Sequence, residues 1–170
     1  MHETDDDLRQ LQSLLDGSNA AAGPHLLEIS TPDHRLTARQ LCDRLIGMRL
    51  LVLATVTADG RPIAGPVDGI FFRGAFHYSS SPVAVRTAHI RRRPAVSATH
   101  LPGEEWAVTV HGTATEVDIR APVHAALRRT VLDIYTPRYG EEWEEFLDAN
   151  VVVRIDARRM FTYALDPGRP

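Results

Sequence analysis

The sequence predicts an α+β domain, mainly β, built on an antiparallel barrel. Short segments rich in Val, Leu, Thr and Ala recur between Leu50 and Leu165, and two of their junctions, Asp59-Gly60 and Arg73-Gly74, are two-residue turn pairs. Such turns join antiparallel neighbours, because a parallel pair needs a crossover of about a dozen residues or more. Segments of helical period precede, interrupt and follow these strands, which places helices around a barrel rather than within a parallel sheet.

Residues 1–35 read as an arm. Leu8, Leu11, Leu14 and Leu15 share one helical face, and Gly17, Ser18 and the Ala20-Ala21-Ala22-Gly23-Pro24 run form a linker. A helix of about two turns is not stable alone, so its apolar face is expected on the main domain or on a second subunit. Thr37 caps a second helix running to about Met48, with Leu41, Leu45 and Met48 at three- and four-residue spacing. Leu50 to Ala58 and Arg61 to Val67 make the first hairpin; Asp68 to Phe72 and Ala75 to Ser79 make the second. A helix follows, capped by Ser81, with Pro82 in its first position and Pro94 ending it after about Arg92. Ala95 to His100 and Trp106 to Val117 are strands joined across Pro102-Gly103. Ala121 to Tyr135 and Glu141 to Leu147 are helices, and Val151 to Ile155 and Phe161 to Leu165 are the last strands. The chain thus divides into the arm over 1–35 and a barrel domain over 36–170.

At 170 residues and 18.9 kDa the chain has the length of one ordinary domain with a terminal addition. Its 44% hydrophobic content supplies a core without staples. Nineteen Lys and Arg against 22 Asp and Glu leave a net charge of −3. That balance argues against a nucleic-acid-coating surface, which needs a basic excess, and leaves room for one small-anion site. The single cysteine, Cys42, excludes an intramolecular disulfide and a cysteine-based zinc site, and points to a reducing compartment, with the cytoplasm as the expected location. No apolar run approaches the roughly 20 residues of a membrane helix. The acidic start at Glu3 and Asp5 to Asp7 lacks the basic and apolar regions of a secretion signal.

The passage most informative about chemistry runs from Tyr78 to Arg93. A strand ends in Ser79, Ser80 and Ser81 and enters a helix, so hydroxyls, free amides and the helix dipole converge where a phosphate would be favoured. Arg86, about one turn into the helix, adds a charge-assisted contact. The bland alternative is an ordinary Ser81 cap and a solvated Arg86. Arg91-Arg92-Arg93 reads as a solvated helix end favoured by the dipole. None of His77, His89, His100 and His111 has zinc-ligand spacing with a neighbouring carboxylate, and no Walker, Rossmann or nucleophile-elbow pattern is present. Trp106, Tyr135 and Trp143 read mainly as packing residues.

The ordered set Leu53-Ala54-Thr55-Val56-Thr57-Ala58-Asp59-Gly60-Arg61-Pro62, Pro66-Val67, Tyr78-Ser79-Ser80, Arg86 to Ser97 and Val108 to Ala114 resembles the pyridoxamine 5′-phosphate oxidase-like FMN-binding split-barrel family over roughly residues 37–165. The resemblance implies a six-stranded antiparallel split β-barrel with flanking helices. It implies a homodimer binding FMN between subunits, or in some branches the deazaflavin coenzyme F-420, and an oxidoreductase passing hydride to or from a small organic substrate. Gly65, Pro66, Val67 and Asp68 map to the segment that runs along the isoalloxazine. Ser79, Ser80 and Arg86, with its neighbour Thr87, map to positions that hold the phosphate. Trp106 opens a strand at the expected border of the groove. No side chain is required as an acid or base, and neither a nucleic acid nor a membrane is expected as partner.

Three positions depart from the oxidase proper: no arginine lies near Gly65, Ala84-Val85 replaces Ser-Arg, and Ala107 stands where a glutamine is usual. The Trp and Arg substrate segment of that enzyme has no counterpart in 161–170, so the resemblance implies the family's cofactor chemistry rather than vitamin B6 oxidation. A deazaflavin would need a basic groove, for which Arg49, Arg61, Arg73 and Arg86 are the candidates. A non-catalytic haem-binding module is the third reading, since some split-barrel relatives bind haem through histidine.

Overall fold

The computed structural model describes residues 1–168; residues 169 and 170, the end of the expected barrel domain, lie outside the described residues. Six strands, β1 (Met48–Val56), β2 (Pro62–Phe72), β3 (Ala75–Ser80), β4 (Ala95–His100), β5 (Trp106–Val117) and β6 (Val151–Ala164), close a barrel in the order β1-β2-β3-β6-β5-β4. Every neighbouring pair is antiparallel. The helices are α1 (Asp5–Ala20), α2 (Pro24–Ile29), α3 (Ala38–Arg44), α4 (Val85–Arg92), α5 (Ala125–Tyr139) and α6 (Trp143–Ala149). None among the described residues is long and apolar enough to cross a membrane.

Alternation along the strands fills the barrel. Leu51 and Leu53 of β1, Val96 and Ala98 of β4, Val108 and Val110 of β5, and Val153, Ile155 and Met160 of β6 are all buried in one cluster. A second cluster forms outside the barrel, where α5 and α6 lay Leu127, Val131, Tyr135 and Leu147 over Ile70, Phe72 and Val152.

Several element boundaries differ from expectation. The two strands expected over 61–72 are one, because β2 only changes neighbours: residues 62–68 pair with β1 alone, Gly69 and Ile70 with both β1 and β3, and Phe71 and Phe72 with β3 alone. The two late strands are also one, since a bulge opposite His111 and Gly112 absorbs the charged stretch Asp156 to Arg159. The helix expected to reach Met48 stops at Arg44, where Leu45 closes it and Gly47 turns with φ +79°.

The arm helix is four turns rather than two, started by a capping box in which Thr4 accepts from the Asp7 amide while the Asp7 carboxylate accepts from the Thr4 amide. Its Leu11 and Leu15 sit in the barrel cluster. The arm also covers the β6 edge beyond its β3 pairing: the Met160 amide donates to Ser18 Oγ at 2.9 Å and Ser30 Oγ donates to the Thr162 carbonyl, while just past the arm the Leu36 amide donates to Thr162 Oγ1. An unpaired strand edge is thereby protected.

Candidate functional site

A second unpaired edge is left open. Residues 62–68 of β2 have only β1 beside them, and the barrel is split along their other side. Pro66 has no N–H, and its carbonyl accepts from Arg86 Nη1 at 2.9 Å, so its polar atom faces away from β1. Antiparallel alternation then turns the amides of Ala64 and Asp68 to the same side. Of the expected ring-contacting residues, Gly65 and Asp68 are half-buried, Pro66 is exposed, and Val67 is buried with its side chain in the barrel core, which leaves Val67 only its backbone for a ligand.

Helix α4 stands across this split. It starts at Val85 with Ala84 as its cap, not at Ser81. The physical reason is Thr87, which is 0% exposed and whose hydroxyl donates to the Ser81 carbonyl at 2.8 Å and lies 3.1 Å from Ser80 Oγ, from which it can accept, holding Ser81 to Ala84 as a turn. Thr87 therefore positions the hydroxyl segment and has no surface for a cofactor. Ser79 and Ser80 remain half-buried at the end of β3. The Thr87 and Ala88 amides donate to Ala84 O, so the amides ahead of them, at Val85 and Arg86, are the orphan donors of this helix start.

The arginine run at the end of α4 is exposed, as expected, but two of its three members are also tied to neighbouring segments. Arg91 forms a two-contact pair with Glu116, its Nε 2.6 Å from Oε1. Arg93 donates to the carbonyls of Thr57 and Ala58 in the first hairpin turn. His89 Nδ1 lies 3.0 Å from Thr55 Oγ1. These ties fix α4 to β1 and β5 and so set where Arg86 reaches. Sequence reasoning assigned them no role, because nothing local pairs a helix-end arginine with a glutamate 25 residues on.

Two aromatic hydroxyls border the site. Tyr78 is buried, its hydroxyl has no hydrogen-bond partner among the described residues, and burial pushes it up to about 12, partly offset by the charge of Arg86. Burial, reinforced by the Asp68 carboxylate, also pushes the Tyr135 hydroxyl upward. Tyr135 stacks on Trp143 at 4.7 Å, the packing role expected of both.

Trp106 is not brought to this site. It packs edge-on against His100 at 5.0 Å with Arg44 over its face, on β5, and the strand order puts β1 and β4 between it and β2. The four arginines named for a basic groove are not gathered either. Arg49 donates to the Arg44 carbonyl, Arg61 pairs with Asp59, and Arg73 lies over the Phe72 ring.

No family model matches the chain, and no curated protein matches it. Solved structures do. A conserved hypothetical protein of Mycobacterium tuberculosis, Rv2991, is 25% identical with a TM-score of 0.67 over 83% of this chain and 93% of its own. HutZ, the heme storage protein of Vibrio cholerae, is 18% identical with a TM-score of 0.59, over 75% and 94%. A FAD-binding protein of Mesorhizobium loti is 21% identical with a TM-score of 0.54, over 73% and 90%.

Proposed function

We propose that this chain, which has the split-barrel fold of the pyridoxamine 5′-phosphate oxidase-like FMN-binding family, binds FMN and serves as a flavin-dependent oxidoreductase on a small organic substrate. The observation that carries the reading is the Arg86 to Pro66 hydrogen bond, which puts a guanidinium beside an open strand edge. One nitrogen is engaged there, and Nε and Nη2 keep donors for a phosphate. Ser79, Ser80 and the first amides of α4 complete an anion cradle. The free amides of Ala64 and Asp68 offer donors to a ring lying along Gly65, Pro66, Val67 and Asp68. The orphaned Tyr78 hydroxyl under this region supports the same fit.

When bound, FMN supplies hydride transfer, and the protein supplies position and electrostatics. The Asp68 carboxylate disfavours negative charge on a ring beside it. A homodimer completes the site on this reading: Leu50 and Val52, 59% and 54% exposed, stand with Leu101 as an outward apolar face on β1 and the end of β4, and a second copy packed there brings its own Trp106 towards the open edge. The dispersal of Arg49, Arg61 and Arg73 favours FMN over the deazaflavin with its acidic tail.

Haem is the second reading, supported by the likeness to the Vibrio protein. The visible spectrum after titration separates the three, because flavin, deazaflavin and haem absorb differently. Saturable binding of FMN alone is the expected result; binding of none of them defeats the cofactor reading.

A further inference from the structure

A second groove, of about 790 Å³, lies on the barrel exterior where β1, β4, β5 and β6 run side by side. One row of residues crosses its four strands: Ala54 beside Ser97, Ser97 beside His111, and His111 beside Arg159. Ser97 Oγ and His111 Nδ1 are 2.7 Å apart. At the end of the row the ladder slips. His111 faces Arg159 and Gly112 faces Ala157, so Arg158 has no partner on β5. The extra residue breaks the alternation of faces and re-aims a side chain, and Arg158 and Arg159 both line the groove. Gly112 fixes the bulge, because a Cβ there would collide with the Asp156 carbonyl.

The electrostatics are one-sided. Among the described residues no acidic side chain lines this groove, and neither guanidinium has an ion pair or hydrogen bond. Arg154, on the same strand before the bulge, is paired with Asp156 instead. Two adjacent unpaired arginines repel each other and gain from a shared counter-ion. Ala54, Val56, Pro62 and Ala95 add an apolar wall, and the volume falls in the range of roughly 300–1,000 Å³ of small-molecule sites.

We infer that this groove binds the phosphate group of a small phosphorylated organic molecule. A dianionic phosphate matches two guanidinium forks, where a carboxylate matches one. Ser97 and His111 are its further polar partners, and the apolar wall receives the organic body. None of Gly65 to Asp68, Ser79, Ser80 or Arg86 lines this groove, so the inference stands apart from the cofactor reading.

The test titrates phenyl phosphate, inorganic phosphate and benzoate into the isotope-labelled full chain, followed by amide shifts. Phenyl phosphate is expected to shift Ser97, His111, Gly112 and Arg159, and to bind at least tenfold tighter than either other probe. Arg158→Gln with Arg159→Gln, which keeps the stems and is checked for folding by its thermal melt, weakens it about a hundredfold, roughly tenfold for each charge-assisted contact. Arg158→Gln alone, in the same assay, weakens it about tenfold. Arg86→Ala leaves it unchanged. Absence of binding, unchanged affinity in the glutamine variants, equal affinity for benzoate or inorganic phosphate, or shifts confined to Ser79 and Ser80 would each overturn the inference.

Discussion

Arg86 Nη1 donates to the Pro66 carbonyl at 2.9 Å, and this one bond joins helix α4 to the unpaired edge of β2. The two segments that the sequence offers for a phosphate and for a ring are thereby parts of one surface. The reach of Arg86 depends in turn on the far end of α4, which Arg91 and Arg93 fasten to Glu116 and to the first hairpin turn.

The arm is integral to the barrel's stability. Leu15, 2% exposed on α1, packs among barrel residues. Leu15→Ala is expected to cost about 2–5 kcal/mol, as buried leucine truncations do. Urea unfolding reads this as a lower midpoint with one cooperative transition; a change under about 1 kcal/mol would show that the arm packs loosely.

His77 makes stability fall in mild acid. Burial holds its imidazole down to about 4, against an ordinary value of 6.5. Above pH 6.5 both folded and unfolded forms are neutral and the residue has no effect. Between 6.5 and 4 the unfolded chain takes up a proton that the folded one refuses, so stability drops by up to about 1.4 kcal/mol per pH unit. Replacing it, as in His77→Phe, should flatten the pH dependence of the melting temperature over that window.

Much of this architecture was legible in the sequence, and the misreadings have physical causes. Asp59-Gly60 and Arg73-Gly74 mark real turns because their glycines take φ +91° and +78°, which few other residues accept. Ser81-Pro82 carries a helix-start pattern just as strong, yet the helix begins three residues later, because a buried threonine hydroxyl from the next turn claims the Ser81 carbonyl. The divided reading of β2 and β6 came from treating charge and turn formers as breaks, where a change of neighbour or a bulge accommodates them. Arg86 was recognisable from its place in a motif. Its bond to Pro66 was not, because a contact across 20 residues leaves no periodicity.

Cys42 is protected in the folded protein. Burial, with Glu3 beside it, pushes the thiol up to about 12. Its alkylation by iodoacetamide at pH 8 should be slow in native buffer and fast in urea; equal rates would mean that α3 opens readily.

Asp68 sets the redox balance of a bound flavin on the proposed reading. Asp68→Asn removes a negative charge beside the open edge, and the reduction potential of bound FMN should rise by about 20 mV, the equivalent of roughly 1 kcal/mol for a two-electron couple. A spectroelectrochemical titration of both proteins measures it, and an unchanged potential would place the carboxylate away from the ring.

The most direct measurement compares FMN with riboflavin, which lacks the phosphate, by fluorescence titration of the wild type and of Arg86→Ala. The wild type should prefer FMN by tenfold or more, and the variant should lose about tenfold in FMN affinity while its riboflavin affinity stays the same. Equal affinities for the two flavins in the wild type, or an FMN affinity untouched by the substitution, would contradict a phosphate held by Arg86 at the open edge of β2.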